Sequence, residues 1–129
     1  MSPKKSRILH VEDDPSLRNL VGIALERLGG YAVRSAADGF EAVVMAREFL
    51  PDLLLLDLDL PGRDGIETLA SLRNEDGLRD APVVFLTAAG DAKVRSQLLA
   101  LGVCAVLGKP FQPRELVRVI GLALAGEPA

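Results

Sequence analysis

The sequence predicts an α/β fold in which one parallel β-sheet carries helices on both faces. Three observations support this prediction. Short apolar runs alternate five times with segments of helical periodicity, the runs are almost continuously apolar, and most of them end at a polar or charged residue. A continuous apolar run is typical of a strand that is buried on both faces. Regular alternation of strands and helices indicates right-handed crossovers within a single parallel sheet.

Five segments are predicted as strands because they are short, apolar and bounded by charged residues, glycine or proline. They are Arg7 to Val11, Tyr31 to Ala36, Leu53 to Leu56, Val83 to Leu86 and Val103 to Leu107. The third of these consists of leucines alone, as expected for a strand that exposes neither face to water. The only histidine, His10, lies within the first strand, and we predict a structural role for it.

The first helix is predicted after the first strand, with Asp14 as its N-cap and Pro15 in its first turn. Apolar residues then recur three and four positions apart, which predicts a buried stripe. They are Leu17, Leu20, Val21, Ala24, Leu25 and Leu28. Gly29 and Gly30 end this helix.

The later helices begin at residues that suit a helix N-terminus. These are Asp38, Asp64, Asp91 and Pro113, of which Asp38 opens a segment resembling a capping box. The third and fifth helices should direct apolar residues toward the sheet. These are Ile66, Leu69, Leu72, Leu116, Val119, Ile120, Ala123 and Leu124.

Composition favours one soluble domain. The chain has 129 residues, of which 49% are hydrophobic and 26% charged, enough for a single core. We expect one domain over residues 1–129, with its core from about residue 7 to 125 and no output domain in this chain. The net charge of −3 argues against direct DNA binding. One cysteine, and no signal peptide or membrane span, fit a cytoplasmic protein.

Polar groups stand at the ends of four of the five predicted strands. They are Glu12, Asp13, Asp57, Thr87 and Lys109. The carboxyl ends of parallel strands share one edge of a sheet, where open α/β folds place their chemistry. A carboxylate can attack phosphorus, and Mg²⁺ takes oxygen ligands. A hydroxyl and an ammonium can hold the phosphoryl oxygens. The residues therefore predict a site that accepts a phosphoryl group.

Several motifs, in order along the chain, resemble those of the receiver domain of two-component response regulators, in particular single-domain chemotaxis regulators. They are Val11-Glu12-Asp13-Asp14-Pro15, the strand Asp52 to Leu56, the loop Asp57 to Gly65, Phe85-Leu86-Thr87-Ala88 and Lys109-Pro110-Phe111. The resemblance extends from Arg7 to about Ala125. It implies a flavodoxin-like (βα)5 fold with strand order 2-1-3-4-5, and a cis peptide bond between Lys109 and Pro110.

The same resemblance implies how the site works. Asp57 would be the phosphoacceptor, and Thr87 and Lys109 would bind the phosphoryl group. The implied Mg²⁺ ligands are Glu12 through water, Asp13, Asp57 and the backbone carbonyl of Asp59. The implied partners are a sensor histidine kinase or phosphotransfer protein and a downstream protein target. The domain would be a monomer or weak dimer, with no enzymatic activity beyond self-phosphorylation from small donors and self-dephosphorylation.

Two alternatives stay open at this point. Asp57-Leu58-Asp59 after an apolar strand also resembles the first motif of haloacid-dehalogenase-type phosphatases, which use one Asp as nucleophile and a second as general acid. The other alternative is a receiver-like module that binds partners without phosphorylation. Val106 keeps this possibility open, because receivers usually carry Tyr or Phe at that position.

Overall fold

The computed structural model describes residues 5–58, 64–88 and 92–127. Within these ranges, five strands alternate with five helices. They are β1 (Arg7–Val11), α1 (Pro15–Arg27), β2 (Ala32–Ala36), α2 (Gly39–Phe49), β3 (Leu53–Asp57), α3 (Gly65–Arg73), β4 (Val83–Thr87), α4 (Ala92–Ala100), β5 (Ala105–Gly108) and α5 (Pro113–Ala125). The predicted metal ligand Asp59 and the predicted helix cap Asp91 lie outside the described residues.

All strand pairs are parallel, and their order is β2-β1-β3-β4-β5. This confirms the predicted doubly wound sheet with order 2-1-3-4-5. β3 is the central strand of the sheet, and its leucines are fully buried. The fifth strand begins two residues later than predicted, at Ala105, because the chain first turns through Gly102 in the left-handed region at φ 82°.

Helices cover both faces of the sheet, because successive side chains of a strand point to opposite faces. One face packs against α1 and α5. Its buried residues include Ile8, Leu53, Leu55, Val84, Leu86, Val21, Leu25, Leu116 and Ile120. The other face packs against α2, α3 and α4, with buried residues that include Leu9, Val11, Leu54, Leu56, Phe85, Ala42, Ala46, Leu69, Leu72 and Leu98. None of the helices within the described ranges is long and apolar enough to cross a membrane.

Aspartates cap α1, α2 and α3, as the sequence predicts. The Asp14 carboxylate accepts a hydrogen bond from the Ser16 N–H at 2.9 Å at the start of α1. The carboxylate of Asp38 accepts from the Glu41 N–H at 2.8 Å at the start of α2. Asp64 caps α3 in the same way. Each bond satisfies a donor that has no partner within its helix.

Three apolar residues that were predicted to face the sheet are exposed instead. Leu20 and Leu28 of the α1 segment are 52% and 55% exposed, and Ile66 of α3 is 42% exposed. The predicted stripe on α1 was too wide: the face that reaches the sheet carries Val21, Ala24 and Leu25. On α3, the buried residues are Gly65, Thr68, Leu69 and Leu72, and Ile66 lies outside the face of the helix that they form. Isolated apolar residues at the surface are common in folded proteins.

His10 is fully buried in β1, and neither ring nitrogen has a hydrogen-bond partner in the part of the chain that the structure describes. Burial, together with the positive charges of Lys109 and Arg18, lowers the pKa of His10 from 6.5 to about 3. The imidazole is therefore neutral in the folded protein, and its burial without a partner costs stability.

We predict that His10→Leu raises the free energy of unfolding by about 1 kcal/mol near neutral pH, because an apolar side chain replaces an unsatisfied polar one. The His10→Leu variant should also lose less stability than the wild type as the solution becomes acidic. The unfolded wild-type chain takes up a proton on His10 near pH 6.5, and the folded chain does so only near pH 3. The wild type should therefore lose stability through this window as the pH falls.

Urea unfolding of both proteins at several pH values measures the difference. Above about pH 8 His10 is neutral in both states, so the comparison there isolates the packing effect. Parallel stability curves for the two proteins between neutral and acidic pH would contradict the assigned burial of the neutral ring.

Candidate functional site

The carboxyl ends of β1, β3, β4 and β5 meet at one edge of the sheet. Asp57 ends β3 and is in register with Leu86 of β4. Thr87 ends β4 and is in register with Gly108 of β5. Glu12 directly follows β1, the other neighbour of β3. The strand order therefore brings the predicted site residues to the same edge, where parallel α/β sheets place ligand sites.

Glu12, Asp13 and Asp57 form an acidic cluster. One carboxylate oxygen from each lies within 4.8 Å of those of the other two. Glu12 and Asp57 are buried, with 1% and 3% exposure, and Asp13 is exposed. Closely spaced carboxylate oxygens are the ligands that hard divalent cations such as Mg²⁺ prefer. The exposed Asp13 gives such a cation access from solvent, so these residues fit the implied metal.

Lys109 pairs with both buried carboxylates. Its Nζ lies 3.2 Å from Glu12 Oε1 and 3.1 Å from Asp57 Oδ2. Burial alone would lower the pKa of Lys109, but the carboxylates of Asp57 and Glu12 outweigh that effect and raise the pKa. The ammonium therefore keeps its charge and offsets part of the cost of burying two acidic groups side by side.

The surroundings of Glu12 in the site change its ionisation. Burial, and then its hydrogen bond with Asp57, raise the pKa of Glu12 to about 7. The Asp14 N–H, which donates to Glu12 Oε2 at 3.2 Å, and the charge of Lys109 oppose this rise. Near neutral pH, Glu12 is therefore partly protonated, and the charge of the cluster depends on pH.

Thr87 is buried at the end of β4. Its carbonyl accepts a hydrogen bond from the Lys109 N–H at 2.8 Å, which attaches the backbone at Lys109 to the strand beside Asp57. The peptide bond between Lys109 and Pro110 is cis, as the resemblance to receivers implied. The structure thus brings Glu12, Asp13, Asp57 and Lys109 into one cluster and places Thr87 on the adjacent strand.

Gly65 supports the site in a way that the sequence reasoning missed. Its N–H donates to the Leu58 carbonyl at 2.8 Å, so the start of α3 packs tightly against the end of β3. A Cβ atom at this position would lie 2.8 Å from the Phe85 ring and 2.9 Å from Leu58 Cα, and closer still to the Asp57 carbonyl oxygen. The sequence signal for this contact is a glycine directly after the helix cap Asp64.

Arg18 is a second residue that the sequence reasoning did not select. Its guanidinium Nη1 donates to the backbone carbonyl of Glu12 at 2.8 Å. A cation in the first helical turn is unfavourable for the helix dipole, and that placement is the sequence signal that could have drawn attention to it.

The family model described as "Response regulator receiver domain" matches residues 8–121. The chain therefore belongs to the receiver domain family of two-component response regulators, as the motifs predicted. Receivers are phosphoacceptor switches that interact with histidine kinases or phosphotransfer proteins, and they are not classically enzymes.

Individual relatives agree with this assignment. The phosphate regulon transcriptional regulatory protein PhoB of Escherichia coli is 43% identical over 111 residues, which are 86% of this chain and 48% of PhoB. The chain spans about half the length of the curated relatives that it matches. The chemotaxis protein CheY4 of Vibrio cholerae has a similar structure, with a TM-score of 0.87 at 28% identity over 93% of this chain and 99% of that one.

A third relative bears on the metal. The receiver domain of the sensor histidine kinase PA1611 from Pseudomonas aeruginosa was solved with a magnesium ion coordinated in its active-site cleft. It is 33% identical to this chain, with a TM-score of 0.82, and the match covers 95% of this chain and 99% of that one.

We predict that Gly65→Ala lowers the free energy of unfolding by about 1 to 3 kcal/mol, because the added methyl group overlaps backbone atoms at the end of β3. Gly22→Ala is the matched control. Gly22 lies within α1, and a Cβ built there meets no atom within 4 Å apart from its chain neighbours and the adjacent backbone of its own helix. That substitution should stabilise the protein by up to about 1 kcal/mol. Urea unfolding of both variants tests the contact, and equal effects at the two positions would refute it.

Proposed function

We propose that this domain accepts a phosphoryl group on Asp57 from a sensor histidine kinase or phosphotransfer protein, and that phosphorylation controls its binding to a downstream protein target. The observation that carries this proposal is the position of Asp57. Its buried carboxylate lies 3.1 Å from the ammonium of Lys109 and within the acidic cluster. We further propose that residues 1–129 form a single receiver domain with a core from about residue 7 to 125, and that it is monomeric or weakly dimeric.

Glu12, Asp13 and Asp57 would hold Mg²⁺, together with the backbone carbonyl of Asp59, with Glu12 acting through water. A bound Mg²⁺ would withdraw charge from the phosphoryl oxygens during transfer. The acidic cluster supports this role because its oxygens lie close together, and two of the three carboxylates are buried where uncompensated negative charge is costly.

In the proposed transfer, an oxygen of the Asp57 carboxylate attacks phosphorus. The bond between phosphorus and the donor breaks, and its electron pair leaves with the donor. The product is an acyl phosphate, so Asp57 loses its own negative charge and gains that of the phosphoryl group. Lys109, which already contacts Asp57, would then neutralise a phosphoryl oxygen, and the Thr87 hydroxyl would donate a hydrogen bond to another.

Binding of a protein target, without direct DNA binding, is the output that we propose for this domain. The relatives RpaA and MtrA are described as DNA-binding, but the match covers only 46% and 50% of their lengths. A net charge of −3 does not favour contact with a phosphate backbone. We place the domain in the cytoplasm on the basis of family membership.

The first test is the intact mass of the protein after incubation with Mg²⁺ and acetyl phosphate, a small phosphodonor. We expect one added phosphoryl group on the wild type and none on Asp57→Asn or after chelation of the metal. Asp76→Asn, which removes an exposed carboxylate outside the site, is the control and should be modified like the wild type.

The alternatives give different results in the same experiment. Catalytic release of free phosphate would favour the alternative of a haloacid-dehalogenase-type phosphatase. A receiver-like module that binds partners without phosphorylation would leave both the wild type and Asp57→Asn unmodified, even with a phosphorylated histidine kinase as the donor.

We also predict that Mg²⁺ affinity falls as the pH is lowered through about 7. The raised pKa of Glu12, about 7, means that a proton must leave this carboxyl before the cluster is fully charged. Titration calorimetry at several pH values measures the affinity. In Glu12→Gln the affinity should be lower and nearly independent of pH between about 6 and 8. If the Mg²⁺ affinity of Glu12→Gln changed with pH as that of the wild type does, the proton would belong to another group.

A further inference from the structure

The loop between β1 and α1 carries two of the three acidic residues and is attached to α1 by Arg18. The Arg18 Nη1 donates to the backbone carbonyl of Glu12 at 2.8 Å and makes a longer contact of 3.5 Å with that of Asp13. One nitrogen therefore reaches the backbone of both residues. Because these contacts use backbone oxygens, the carboxylates of Glu12 and Asp13 are left to form the cluster with Asp57.

The position of Arg18 in α1 is unfavourable for the helix considered alone. Arg18 is the fourth residue of α1, and its N–H donates to the Asp14 carbonyl at 2.9 Å in the first turn. The N-terminus of a helix carries partial positive charge, so a cation there costs about 0.3 to 1 kcal/mol. The first turn of α1 itself contains no acidic residue, and the acid at this end of the helix is its N-cap, Asp14. The contact with the acidic loop gives a physical reason for an arginine at this place.

Other contacts fix the remaining sides of the loop. The Glu12 N–H donates to the Ala36 carbonyl of β2 at 3.0 Å. The Asp14 carboxylate caps α1, and the Asp14 N–H donates to the Glu12 carboxylate. Arg18 adds the contact on the carbonyl side, between the end of the strand and the start of the helix. The backbone that orients Glu12 and Asp13 is thus held by β2, by the cap at the start of α1 and by the side chain of Arg18.

We infer that Arg18 is a positioning residue of the metal site, which acts by holding the backbone of Glu12 and Asp13 so that their carboxylates face Asp57. This inference rests on the proposed function, since it concerns the same Mg²⁺ site. The guanidinium has two opposite effects on a cation. Its charge repels the cation and lowers affinity, whereas its contacts fix the ligands in place and raise affinity. The inference states that the second effect is larger.

The sign of the change in Mg²⁺ affinity distinguishes the two effects. Arg18→Met removes both the charge and the donors while keeping much of the length of the side chain. We expect its Mg²⁺ affinity to fall by about tenfold, the lower end of the range for residues that support metal ligands. Arg18→Lys keeps the charge and some ability to donate, so its affinity should lie between those of Arg18→Met and the wild type.

Arg27→Met is the matched control, because it removes the same charge from an exposed position in the last turn of α1. Its Mg²⁺ affinity should equal that of the wild type. Titration calorimetry near pH 8, where Glu12 is largely ionised, gives the affinities. Hydrogen exchange of the Asp14 amide without metal gives a second readout, and exchange should be several-fold faster in Arg18→Met because the loop opens more often.

Each result has a defined meaning. Equal or tighter Mg²⁺ binding by Arg18→Met, or unchanged exchange at Asp14, would overturn the inference. If Arg18→Met does not fold, Arg18→Lys decides in its place: weaker binding supports the inference, and wild-type binding overturns it. The proposed function fails separately, through absence of Mg²⁺ binding by the wild type or unchanged binding by Asp13→Asn, and neither of those results depends on Arg18.

Discussion

Two buried carboxylates share one ammonium at the carboxyl edge of the sheet, and the rest of the site depends on that arrangement. Glu12 and Asp57 come from the neighbouring strands β1 and β3, and Lys109 follows β5. Removing one member of a buried ion pair leaves an uncompensated charge, at a cost of about 3 to 5 kcal/mol. The strand order is what allows the three groups to meet, because Lys109 reaches Asp57 past the end of β4, where its N–H bonds to Thr87.

The same burial gives the protein its stability and its chemistry. The central strand is apolar up to Leu56 and ends in Asp57, so the acid lies where the core meets solvent. Burial raises the pKa of Glu12 to about 7, which makes the charge of the cluster sensitive to pH in the neutral range. A cluster of closely spaced acids is unfavourable without nearby positive charge, and for this reason it is suited to bind a cation.

Two less conspicuous residues hold the backbone around these acids. Gly65 allows α3 to approach the end of β3 so closely that any side chain would overlap the Asp57 carbonyl. Arg18 bonds to the backbone on the other side of the cluster, at Glu12. Neither residue belongs to the acidic cluster, but both contact the backbone beside its carboxylates. Metal sites generally need such support, because side chains that are held loosely bind the metal less tightly.

The sequence by itself determined the alternation of strands and helices, the caps Asp14, Asp38 and Asp64, and the position of Asp57 at the end of a buried strand. These features are local, since spacing and residue type within a few positions set them. Only the tertiary structure decided that Leu20 faces solvent, that the pKa of Glu12 rises and that Arg18 contacts the acidic loop. Each of these depends on which surfaces meet and on distances between side chains, because burial and Coulomb interaction act through space.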